Sequence, residues 1–82
     1  MIKTKFYVGS VSFDTDDLQR ADSLFHAFEL ETLVEKMARF MKTRKSSEVH
    51  FACIKVGKQE TDITEKVRKL CNTYQKWAIN KN

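Results

Sequence analysis

Proline is absent from this 82-residue chain, and glycine occurs only twice, at Gly9 and Gly57. A chain so poor in both offers no interdomain linker and no glycine-rich loop of the kind whose backbone amides cradle phosphates. Cysteine is as scarce. Cys53 and Cys71 are too few and too far apart for a disulfide framework, so both are expected to be reduced core thiols in a cytoplasmic compartment. No apolar run approaches the roughly 18 residues a membrane span needs, and no signal-peptide pattern is present, so the expectation is a soluble protein that stays where it is made. The histidines are His26 and His50. His50 and Cys53 are three apart, which in a strand puts them on opposite faces, unable to grip one ion. Neither cysteine sits at a helix N-terminus or in a glycine-rich turn, where thiols become reactive, and no zinc-protease or kinase motif appears. No metal site, cofactor or catalytic activity is expected.

What is present points to one small α+β domain. A core of this size supplies only a few kcal/mol of net stability, so self-association, most simply as a homodimer, is expected. The net charge is +4 but uneven: residues 14–35 carry Asp14, Asp16, Asp17, Asp22, Glu29, Glu31 and Glu35 against Arg20 alone, leaving the remainder strongly basic. Such polarity suits one face that meets a polyanion and another that meets solvent or a different partner.

The stretch Val49-His50-Phe51-Ala52-Cys53-Ile54-Lys55-Val56 is the one continuous β-branched and aromatic run of strand length, bracketed by Ser46-Ser47 and Gly57. Alternation puts Val49, Phe51 and Cys53 on one side and His50, Ala52, Ile54 and Val56 on the other. Both sides are largely apolar, which requires cover on each, from the chain itself, another subunit or a ligand. Residues 3–13 read as a second strand, with Tyr7, Gly9, Val11 and Phe13 on one side and Phe6 and Val8 on the other; Gly9 inside it signals a bulge or a close backbone approach. Leu18, Ala21, Leu24, Phe25 and Phe28 fall at helical spacing after an acidic cap, predicting a helix over 16–28. A rival reading of the same residues makes 14–22 a loop and 23–29 a strand. Thr32 and Glu35 form a capping-box pattern for a helix over 32–44, and Asp62 and Glu65 another for a helix over 62–79 whose stripe is Ile63, Val67, Leu70, Tyr74 and Trp77. Residues 57–61 read as a connection. The expected architecture is thus an antiparallel or mixed sheet of two to three strands packed by two to three helices.

The other side of the last helix carries Arg68, Lys69 and Lys76; the preceding helix and its basic end carry Lys36, Arg39, Lys42, Arg44 and Lys45. If both helices lie on one side of the sheet, these eight side chains predict a band that neutralises phosphates, with binding that weakens steeply in salt. RNA, or another polyanion, is the partner this implies, bound for sequestration or occlusion. The alternative is a protein-binding inhibitor or adaptor that presents its acidic segment, 14–35, to a basic partner.

Phe6-Tyr7-Val8-Gly9-Ser10-Val11 resembles the short strand motif that opens RNA-recognition-motif domains, and Ser12 to Leu18 continues like that family's lead into its first helix. The family's second motif would fall at Val49 to Val56, where Phe51, Ala52 and Ile54 agree in type while Val49, His50 and Cys53 depart from it. The resemblance implies base stacking on Tyr7 and Phe51. It also requires a strand over 33–41, against the helical spacing there. The brevity, the absence of proline and the Lys, Phe and Asn usage resemble those of small accessory proteins of large virulent phages, which would place the chain in a host cytoplasm.

Overall fold

The computed structural model describes residues 4–17 and 19–80, apart from the side chains of residue 45 and residues 75–80. Six elements follow in order: β1 (Lys5–Asp14), β2 (Arg20–Ala27), α1 (Leu30–Lys42), β3 (Lys45–Val56), β4 (Gln59–Asp62) and α2 (Thr64–Asn80). The strands form one antiparallel sheet in the order β2-β1-β3-β4. The fold is α+β, with four strands instead of the two to three expected. A strand-strand-helix unit occurs twice, and the two units meet at the β1–β3 seam in the middle of the sheet.

Both helices cover one face. Leu33, Val34, Met37, Ala38 and Met41 of α1 and Val67 and Cys71 of α2 pack with Val11, Val49 and Ala52 of the central strands, and Tyr7, Phe25 and Phe40 seal the margin of this core. Gly9 is the point of closest approach. A Cβ there would overlap the end of the Met37 side chain, so the packing of α1 on β1 as it stands uses the space left by the missing side chain at position 9.

The described residues of 16–28 are not helical. Their centre is β2, paired without interruption from Tyr7↔Ala27 to Asp14↔Arg20, as the rival reading has it in outline. The helical spacing of Leu24 and Phe25 is coincidental: the strand turns Phe25 onto Phe40 in the core, at 5.2 Å between ring centres, and Leu24 onto the other face, 55% exposed. Leu18 lies outside the described residues.

The capping box at Thr32 and Glu35 does not cap. Helix α1 begins at Leu30 after Glu29, which makes no side-chain cap, and Glu35 turns instead to Arg39 at 2.8 Å. At α2 the cap is real in part: the Asp62 carboxylate accepts the Thr64 N–H at 3.0 Å, while Glu65 pairs with Arg68. The connection expected over 57–61 contains β4. Val56 pairs with Gln59 across a two-residue turn whose first position, Gly57, has φ 61°, a conformation glycine adopts without strain.

One irregularity re-aims half of β3. Ser10 pairs with Phe51 but Val11 pairs with Val49, so His50 is an extra residue, a β-bulge. Val49 therefore joins Ala52 and Ile54 on the helix side, and Phe51 and Cys53 face away. Strict alternation had grouped Val49 with Phe51 and Cys53.

Candidate functional site

The sheet has one uncovered face and two margins, and backbone direction decides what each margin can do. Ala52 sends both of its backbone groups away from β1: its N–H donates to the Thr64 hydroxyl at 3.0 Å and its C=O accepts the Ile63 N–H at 2.9 Å. In an antiparallel ladder that orientation alternates. Gly9, opposite Ala52, must then direct its groups to β2, and so must Val11. On β2 the partners Phe25 and Ser23 point inward, and Arg20, Asp22, Leu24 and His26 point outward. A separate contact agrees: the Lys36 ammonium donates to the outward His26 carbonyl at 3.1 Å.

The outer side of β3 is closed by the chain itself, and the edge of the sheet on this side is the four-residue, fully exposed β4. Strand β4 covers residues 53–56, and beyond it Thr64, Ile63 and Arg68 take over, the Arg68 guanidinium donating to the Val49 carbonyl at 3.0 Å. The bulge turns that carbonyl outward. Among the described residues the β2 margin has no such cover apart from Lys36 at one end.

The uncovered face is apolar in its middle. Val8 and Ser10 of β1 are buried there, flanked by Leu24 and His26 on β2 and by Phe51 and Cys53 on β3. One end is polar. Arg20 reaches the Ser12 hydroxyl at 3.0 Å, the Asp14 carboxylate at 2.8 Å and Glu48 at 3.2 Å, and this arginine holds the Asp14 carboxyl below its ordinary pKa. Near the other end, Phe6, His26, Phe28 and Lys36 line a depression of about 630 Å³, and Phe28 is 75% exposed.

The eight expected phosphate contacts do not assemble into one band among the described residues. Lys36 reaches the β2 margin and Arg68 the outer margin of β3, strands about 10 Å apart on either side of β1. Arg39 is held by the Tyr74 side chain and by Glu35, which raise its pKa. Arg44 stacks on Phe13 and Phe40, with centroid distances of 5.5 and 5.0 Å. Carboxylates are interleaved, Glu35 on Arg39 and Glu65 on Arg68. Lys42 and Arg68 are brought together, lining one concavity with Asn72 and Glu48, and Lys69 is exposed on α2. The side chains of Lys45 and Lys76 lie outside the described residues. Tyr7 and Phe51 fall on opposite faces, Tyr7 packed under the helices and Phe51 37% exposed on the uncovered side. A flat base cannot rest on both.

Cys71 is fully buried, its thiol donating towards the Val34 carbonyl at 3.9 Å, and burial pushes its pKa up to about 11. Burial also raises Cys53. Both thiols therefore stay protonated near neutrality, the poorly nucleophilic form. No three His, Cys, Asp or Glu side chains among the described residues converge on a common metal position, and no described helix is long and apolar enough to cross a membrane.

Sequence reasoning missed Asp22, Leu24 and His26 as margin residues. Their signal was an alternation, Arg20, Asp22, Leu24 and His26 against Ala21, Ser23, Phe25 and Ala27, which a helical reading of the same stretch conceals. Comparison with protein-family models, curated proteins and solved structures gives no match for the chain.

Proposed function

We propose that the chain is a non-catalytic protein-binding module, an adaptor or inhibitor, that takes a polypeptide strand along the free margin of β2 within its acidic segment. The observation that carries this reading is the row of outward backbone groups at Arg20, Asp22, Leu24 and His26, continuous with the apolar patch of Leu24, Val8 and Phe51. Strand addition draws affinity from main-chain hydrogen bonds and selectivity from alternate side chains, and both are on offer here. The two protonated thiols fit a reducing, cytoplasmic setting. A photo-crosslinking amino acid at position 24 tests it in cells expressing the full chain. Adducts that resist nuclease and yield to protease are expected; nuclease-sensitive adducts, or none, overturn the reading.

RNA binding is the second reading, and it draws on the concavity shared by Lys42 and Arg68 with Lys69 on the same helix. Single-stranded RNA titrated at two salt concentrations tests it. Affinity that falls with salt and collapses in Arg68→Glu/Lys69→Glu supports it, and no binding at low salt removes it.

A further inference from the structure

We infer that the strand received by β2 is the β2 of a second copy of this chain, paired antiparallel about Leu24, so that two four-stranded sheets become one continuous sheet of eight. The inference rests on the protein-binding reading and names its partner.

Register decides the argument. Leu24 directs its backbone groups outward, so a two-fold axis through it makes Leu24 and Leu24 of the second copy a hydrogen-bonded pair, flanked on each side by Asp22 against His26. About six backbone hydrogen bonds result, and the His26 carbonyl exchanges the Lys36 ammonium for the Asp22 N–H of the second copy. Facing side chains are compatible throughout. On the uncovered side the two Leu24 side chains, each 55% exposed in the single chain, meet each other, and each Asp22 carboxylate finds an imidazole. On the helix side Ala21 meets Ala27 and Ser23 meets Phe25, small against small and small against large.

Two other registers fail. Centring on Asp22 sets two carboxylates directly opposite one another, which is repulsive. Centring on an odd-numbered residue aligns backbone groups that already serve β1. Nothing inside the strand opposes the pairing either, since β2 holds no proline and its register on β1 shows no bulge.

Sedimentation equilibrium of the full chain at tens of micromolar is the test. A dimer is expected. Leu24→Pro, whose lost N–H serves no bond among the described residues, is expected to give a folded monomer by circular dichroism. Asp22→Lys should weaken the dimer about tenfold through its two symmetric pairs, and Asp22→Lys/His26→Asp should restore it. A wild-type monomer overturns the inference, as does a dimer indifferent to Asp22→Lys or not restored by the double variant. A monomer that still crosslinks from position 24 to a foreign polypeptide retains the protein-binding reading, whereas loss of those crosslinks removes both.

Discussion

At the β3–β4 margin the chain answers its own outward backbone groups, the Ala52 pair with Thr64 and Ile63 and the Val49 carbonyl with Arg68. At the β2 margin eight residues run straight beside β1, and among the described residues the one side chain that reaches their outward groups is Lys36, at His26. The difference follows from what comes next in the chain. After β4, the segment 62–64 turns directly into α2 against the lower half of β3 and brings a hydroxyl, an amide and a guanidinium with it. After β2, the connection leads to α1 over the sheet face, away from the margin. One side of the sheet thus ends in a short polar strand with the rest of β3 capped, the other in eight straight residues, and the difference is set by connections more than by strands.

Adjacent proline substitutions in β2 should show the largest effect. Ser23→Pro removes an N–H that serves β1 and is expected to cost on the order of 3 kcal/mol in urea denaturation, while Leu24→Pro, one residue along, should cost far less. Equal costs would break the assignment of inward and outward residues. Thr64→Ala leaves the Ala52 N–H, in a residue 1% exposed, without its acceptor. A loss of about 1–3 kcal/mol is expected, together with faster hydrogen exchange at that amide. Arg68→Ala uncovers the Val49 carbonyl at a partly buried site and should cost about 1 kcal/mol by the same measurement.

The smallest expected effect is one of pH. Hydrogen bonds from Thr64 hold the Asp62 carboxyl below its ordinary 3.8. A depressed carboxylate contributes stability that is complete above the unfolded value and is lost as pH falls through the folded one. Melting temperature should therefore drop on acidification below about pH 4, and less steeply in Asp62→Asn. A drop of the same steepness in that variant would detach Asp62 from the closure of this edge.

Much of the fold was legible from local pattern. The strand at Val49 to Val56, the facing of Tyr7, Gly9 and Val11, and the helix from Thr64 all follow from apolar periodicity, and Gly9 announced the close approach that Met37 makes. The failures have physical causes. Edge strands bury one face thinly, so β2 alternates weakly and its apolar residues can be fitted to a helix by accident. Strand β4 has four residues, all exposed, and no apolar signal. The bulge at His50 is a property of pairing with β1, which a single strand does not encode. The candidate site was less legible still. Helical spacing correctly put Lys36, Arg39 and Lys69 on exposed helix surfaces, while Arg68 is half-buried against β3, and whether charges converge depends on how helices cross, and on carboxylates such as Glu35 and Glu65 one turn away.

The seam at the centre of the sheet joins residues 5–14 to residues 45–56. During synthesis the first strand-strand-helix unit therefore emerges complete in sequence yet must wait, its inner strand bare, until the second half leaves the ribosome. For that interval β1 is an edge strand with its β3-facing backbone groups unanswered.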